Sequence, residues 1–345
     1  MALPVTTTTP RAPAGAWPLS RAASGVLRRV LATLSPAGGR GRLTILQFHR
    51  VHARPDTLFP REVDATAFRE RLAWVRAWFN VLPLEDAVRA LARGALPERA
   101  LAVTFDDGYA DNVTVALPIL REHDVHATFF IATGFLDGGA MWNDIVIEAV
   151  RAARASRLDL TPLDLGAHVI DTVNARRAVI RTLVDALKYR PVHDREEAAR
   201  AIGERTGVAL RRDLMMTREQ VRALAATGMA VGGHTVSHPI LARLDDAQAR
   251  REIAEGRDAL EAMVGQPVRL FAYPNGKPDV DYCARHAKLA QSLGFAAAVS
   301  TAWGAARMGD ALHELPRFTP WDATPLRWGA RLARNLLVAP QRAVT

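Results

Sequence analysis

The sequence predicts an α/β protein built on a mostly parallel sheet, and three observations carry that prediction. Strand-like and helix-like stretches alternate on both sides of a long helical interruption. The 345 residues are enough for one large α/β barrel or two modest domains. Four chemically distinctive groups each sit just after a strand-like run, and a parallel barrel gathers such strand ends on its catalytic face.

Residues 1–41 hold no acidic residue and read as a basic, flexible leader. Residues 24–34 could form a short amphipathic helix lying on a surface. Arg28 and Arg29 break the apolar core that a secretory signal would need. The first strand is expected over 43–48, with His49-Arg50-Val51 at its exit. Phe68, Leu72, Val75 and Phe79 then mark an amphipathic helix over 65–79. A short strand at 81–82 and a helix over 84–92, closed by Gly94, lead to a strand over 101–105. That strand runs into Asp106-Asp107-Gly108. A helix over 113–123 and a buried strand over 127–132 continue the alternation.

Residues 142–216 break the rhythm with helical patterns over 144–155, 174–189 and 195–206 and no strand, so they are expected to form a helical insertion. Thr217 and Gln220 then form a capping box. Strands are expected over 228–234, 268–273 and 295–300, with helices over 245–264 and 281–293 between them. The barrel is expected to span 42–322. Residues 323–345 form a basic tail with an amphipathic stretch at 327–338.

Composition narrows the partners. The net charge is +9, and 42 of the 45 basic residues are Arg, since lysine occurs at 188, 277 and 288 alone. They are scattered through Ala-rich stretches and form no dense run, which argues against specific nucleic-acid binding. Peripheral contact with an anionic membrane through the basic termini is compatible with this charge. Cys283 is the single cysteine, so no intrachain disulfide can form. With no signal peptide and no apolar run long enough to span a membrane, a cytoplasmic location is expected, with a membrane-peripheral one as the variant the basic termini allow.

Two adjacent carboxylates at a strand end repel each other unless a cation or proton intervenes. An isolated Asp-Asp-Gly would read as a solvated turn, but His234 and His238, at i and i+4 in Gly-His-Thr-Val-Ser-His-Pro, supply two imidazoles. One carboxylate and two imidazoles suit zinc and leave a position for water, with a second carboxylate to spare as a base. A two-His-one-carboxylate iron oxygenase is the other metal class and has no use for the spare acid. The other seven histidines are expected to be structural or on the surface, and Asp111 and Asp144 to be helix-start carboxylates.

Thr104-Phe-Asp-Asp-Gly108, His234-Thr-Val-Ser-His238 and Phe271-Ala-Tyr-Pro-Asn-Gly276 together resemble the motifs of the NodB-homology polysaccharide deacetylases, carbohydrate esterase family four. The resemblance runs over about 43–321 and implies a deformed (β/α) barrel that removes N-acetyl groups from the amino sugars of a poly- or oligosaccharide. It implies metal ligation by Asp107, His234 and His238, with Zn2+ expected and Co2+, Ni2+ or Mn2+ as alternatives. Asp106 would be the general base, and the Asn275 N–H would face the oxyanion, with Tyr273 and Trp142 beside the substrate; Trp321 is a second aromatic candidate. His49, in a Phe-His-Arg-Val variant seen near the start of some relatives, would be the general acid. Where many relatives carry an arginine before the motif proline this chain has Ala272, and Arg317 is expected to replace it, with Arg50 as the other candidate. The same metal site could instead serve an O-acetyl ester or a small cyclic amide, or persist in a sugar-binding protein without catalysis.

Overall fold

The computed structural model describes residues 20–207 and 211–344. Residues 1–19 of the expected leader and 208–210 of the expected insertion lie outside the described residues. In chain order, α1 (Arg21–Leu34) precedes β1 (Arg42–Phe48), α2 (Ala65–Trp78), β2 (Asn80–Val81), α3 (Leu84–Ala92) and β3 (Ala100–Phe105). A π-helical turn, Asn112–Ala116, runs into α4 (Leu117–Glu122), and β4 (Ala127–Ile131) follows. Then come α5 (Trp142–Ala152), β5 (Arg157–Asp159), β6 (Ala167–Val169), α6 (Val173–Leu187) and α7 (Val192–Thr206). The chain returns through α8 (Arg218–Ala226), β7 (Ala230–Gly233), α9 (Asp246–Val264), β8 (Leu270–Ala272) and α10 (Ala284–Ser292). It ends with β9 (Ala297–Val299), β10 (Ala306–Arg307) and α11 (Pro325–Asn335).

The main sheet runs β10-β1-β3-β4-β7-β8-β9, parallel throughout except for the antiparallel β10, with β2 paired to the start of β3. It curls into the deformed (β/α) barrel, and an irregular segment bridges its open seam. Leu315 donates to the Ala298 carbonyl at 2.9 Å on β9, and Phe318 donates to the Ile45 carbonyl at 2.9 Å on β1. Backbone carbonyls of β9 and β1 thereby find donors without a further strand.

Alternate residues of each strand enter different cores, as the two-residue period requires. Phe48, Phe105 and Phe129 stack in series on the helix-facing side, with centroids 5.5 and 4.8 Å apart. The other face carries small residues, among them Ala100, Ala102, Ala272 and Ala297, so the interior is narrow. A Cβ on Gly232 would lie 2.4 Å from the Phe130 ring, which fills that space.

Two expectations need correction. The described part of the leader is folded onto the barrel: Leu27 and Leu31 of α1 are buried, and the Trp78 indole donates to Ser24 Oγ at 2.9 Å. Trp74, Trp78 and Trp328 pack together, so α1 and α11 dock jointly against α2. The insertion is helical but holds one antiparallel hairpin, β5–β6, absent from the sequence reading. Each strand is three residues long with one buried side chain at most, too short to show a period. The insertion has its own core, including Val146, Leu158, Ile170, Ile180, Leu183 and Ile202. Among the described residues no helix is long and apolar enough to cross a membrane.

Candidate metal centre and catalytic pocket

The carboxyl ends of β1, β3, β7 and β8 open into one cavity of about 470 Å³, roofed by the insertion. Gln47, His49, Asp106, Asp107, His234, His238 and Asn275 line it, so residues as far apart as 47 and 275 share one wall.

The backbone at this wall is unusual. Asp107, Thr235, His238 and Asn275 have φ of +77°, +66°, +52° and +58°, a region non-glycine residues rarely enter. Such residues cost on the order of 1–3 kcal/mol each and persist where the surroundings over-determine them. At Thr235 and His238 α9 supplies that constraint. Glu252 accepts from the Val236 and Ser237 N–H groups at 3.0 and 2.9 Å and from Ser237 Oγ at 2.7 Å. Gly256 lets the helix close in, since a Cβ there would lie 2.8 Å from the Thr235 carbonyl. Thr235 Oγ1 accepts from the His238 N–H at 3.1 Å, which turns that ring back toward His234.

Asp107 Oδ1 lies 3.3 Å from His234 Nε2 and 3.4 Å from His238 Nε2, and the three donors fall within 4.8 Å of one another. Ligands about 2.0–2.2 Å from a tetrahedral cation stand roughly 3.3–3.6 Å apart, so this spacing fits a metal such as zinc. The chemistry fits as well. His234 Nδ1 is 2.7 Å from the Ala272 carbonyl and donates to it, which turns Nε2 toward the Asp107 carboxylate. Two electron-rich atoms hold that distance when a cation or proton lies between them. Burial pushes the Asp107 pKa up, but the imidazoles around it outweigh this and hold it below the usual carboxylate range. Burial and the neighbouring His234 push His238 down to about 4, so it presents a neutral, ligating imidazole.

Asp106 is built differently. It is 2 % exposed and takes a forked pair of bonds from Arg317, Nη1 to Oδ1 at 2.6 Å and Nη2 to Oδ2 at 2.7 Å. Gln47 Nε2 adds a third donor at 2.7 Å. Burial would raise this pKa, yet Arg317 and His234 keep it lowered, and Asp106 stays ionised. Arg317 comes from the seam segment, fully buried with its guanidinium 5.6 Å from the Phe130 centroid, and its Nε donates to the Ser300 carbonyl at 3.0 Å. Of the two candidate arginines, Arg317 therefore partners Asp106. Arg50 is bound to Asp111 at 2.7 Å and lies 4.8 Å from the Tyr109 centroid.

The other expected site residues divide. His49 is exposed on the cavity wall, and its ring makes no hydrogen bond among the described residues. Asn275 lines the cavity, and its N–H has no acceptor among the described residues. Trp142 lines it from α5, whereas Trp321 lies outside, half exposed beneath the Arg331 guanidinium. Tyr273 does not reach the substrate space: it is fully buried, stacked on Tyr282 at 3.9 Å, and its hydroxyl donates to the His313 carbonyl at 2.8 Å. Alternation along the strand turns its side chain away from the face that Ala272 presents. Asp144 starts α5 but is no solvated cap. It is 4 % exposed and accepts from the Tyr109 hydroxyl at 3.1 Å, and burial together with nearby Asp107 raises its pKa to about 7 against the pull of Arg50. Sequence reasoning missed Gln47 and Glu252. Gln47 was within reach, because the two-residue period places it on the same face as His49.

Comparisons with known proteins bear on this geometry. The polysaccharide deacetylase family model matches residues 93–298, more than half of the chain. The chain belongs to that family. This deacetylase is 20% identical over 278 residues to YxkH of Bacillus subtilis (strain 168), covering 80% of this chain and 70% of that one. Its fold is similar to that of the Streptococcus pyogenes deacetylase PplD, solved with acetate, at a TM-score of 0.56 and 20% identity, covering 86% and 98% of the two chains. It is likewise similar to IcaB from Ammonifex degensii, at a TM-score of 0.54 and 20% identity, covering 88% and 99%. These structural likenesses bear on the NodB-type fold; the residues at the pocket carry the chemistry.

Proposed function

We propose that this polysaccharide deacetylase hydrolyses the N-acetyl groups of amino sugars in a poly- or oligosaccharide, with Asp107, His234 and His238 holding a divalent metal, zinc in the first instance. The reading is carried by one observation: an ionised carboxylate, Asp106, held by Arg317 beside a three-donor cluster of metal geometry. A metal bound there supplies Lewis acidity, making a water more acidic and polarising the acetamide carbonyl.

Asp106 takes the proton from the attacking water; the forked arginine fixes the carboxylate's direction and keeps it charged. The Asn275 N–H faces the oxygen that gains charge as the carbonyl carbon becomes tetrahedral. His49, exposed at the carboxyl end of the neighbouring strand β1, gives a proton to the departing amine. The products are acetate and a free amino sugar, and the proton removed from water balances the one the amine gains.

The test is acetate release by the zinc-loaded protein from chito-oligomers, set against O-acetylated xylan. Turnover of the chito-oligomers with Asp106→Asn inactive supports the amide reading. Release from xylan alone would replace it with an ester hydrolase, and release from neither with a binding protein.

A further inference from the structure

The cavity's charges are unevenly matched. On the barrel side each has a partner: Asp106 with Arg317, Arg50 with Asp111, Glu62 with His52, and Asp107 with the two imidazoles. Arg151 of the insertion is also satisfied, by Asp56 and Glu148. Arg195 in α7 is not. It is 3 % exposed and lines the cavity, yet its Nε and Nη2 are buried with no hydrogen-bond partner among the described residues. The Trp142 ring lies 5.1 Å from the guanidinium carbon, and the Glu196 carboxylate acts on it through its charge alone, too weakly to offset burial. Lys188, at the end of α6, lines the same wall, with its ammonium 5.5 Å from the Tyr189 ring centroid and its charge felt by Asp281. The remaining acid on this side, Asp144, is committed to the Tyr109 hydroxyl, and burial raises its pKa to about 7.

A buried guanidinium without a partner is costly, and a chain tolerates that cost where a ligand removes it. Arginine's planar fork matches oxyanions, and stacking on an indole holds the fork in one plane. We propose that the insertion wall, centred on Arg195 and assisted by Lys188, binds an oxyanion carried by the substrate, a phosphate or a carboxylate, while the acetamide sits at the barrel wall. The substrate would then be an anionic acetylated glycan or glycosyl phosphate in place of a neutral polymer. The substrate half of this inference rests on the deacetylase reading; the anion site itself does not.

Calorimetry with inorganic phosphate on the full chain, zinc-loaded and chelator-stripped, tests the site without turnover. Phosphate is expected to bind both forms, with affinity in the stripped form reduced at least tenfold in Arg195→Met, partly restored in Arg195→Lys and weakened several-fold in Lys188→Ala. Because it removes an unpaired buried charge, Arg195→Met is expected to keep or raise the thermal midpoint. Phosphate binding that vanishes with the metal, or a lower midpoint with phosphate binding intact, would overturn the proposal. Acetate release from N-acetylglucosamine 1-phosphate, N-acetylmuramic acid and triacetylchitotriose then separates phosphate from carboxylate. The anionic-to-neutral ratio of kcat/KM is expected to fall about tenfold in Arg195→Met. Phosphate binding with no acetate from any sugar would retain the anion site and end the deacetylase reading. Equal turnover of all three without phosphate binding would do the reverse.

Discussion

The two walls of the cavity differ in how their charge is managed. The barrel wall is closed electrically: its carboxylates carry fitted counter-charges, and its strained loops are held by α9 through Glu252 and Gly256. The insertion wall is open, with Arg195 buried and unanswered. The contrast teaches a division of labour. A preorganised wall suits reaction steps that recur with every substrate, and an unmatched wall suits selection among substrates, because its charge is completed by the ligand.

Removing a donor breaks the barrel wall most severely. Asp107→Ala is expected to abolish stoichiometric zinc in elemental analysis and to lower acetate release by more than about 10⁴-fold. Stripping the metal from the unaltered chain should match that loss, and re-addition should reverse it. Asp106→Asn comes next, keeping its zinc while losing about 10³-fold or more in turnover; if it loses zinc instead, the two aspartates have exchanged roles. Arg317→Ala leaves Asp106 buried without its cation, a change expected to cost about 3–5 kcal/mol in denaturant unfolding as well as activity. Arg50→Ala should cost clearly less turnover, and equal losses would remove Arg317's special place.

The smallest effect lies where the two walls meet. The Asp144 pKa is about 7 in the fold, against about 3.9 in the unfolded chain. The native state therefore binds the extra proton between these values, and stability from this group declines as pH rises through that window. Asp144→Asn, which keeps an acceptor for Tyr109, is expected to flatten the decline and to gain on the order of 1–3 kcal/mol at pH 8 relative to pH 5. Thermal midpoints across pH 5–8 read this directly, and an unchanged slope would mean that Asp144 titrates normally.

Much of the barrel was legible because its signals are local. Strand runs ending in Asp106-Asp107, His234 and Asn275 announce both the alternation and the shared face, and the i and i+4 histidines announce paired donors. What escaped depends on direction and depth. Tyr273 sits beside the motif proline, but side-chain alternation sends it into the core against Tyr282. A surface-lying helix and a docked one share the same pattern, and the Leu27–Leu31 stripe does not say that Trp78 and Trp328 wait beneath it. Arg195 is one of 42 arginines in the sequence, and its lack of a partner is a property of burial alone.

The segment that spans β9 and β1 ties two events together. Its backbone completes the ring of strands, and the side chain at its centre, Arg317, neutralises Asp106. Every donor of the cation cluster precedes residue 239, so a chain ending before residue 315 would retain all three while Asp106 lost its counter-ion. If Asp106 is the base proposed above, catalytic competence is coupled to closure of the seam, and hydrolytic activity would serve as a readout of whether the C-terminal segment has reached its native place.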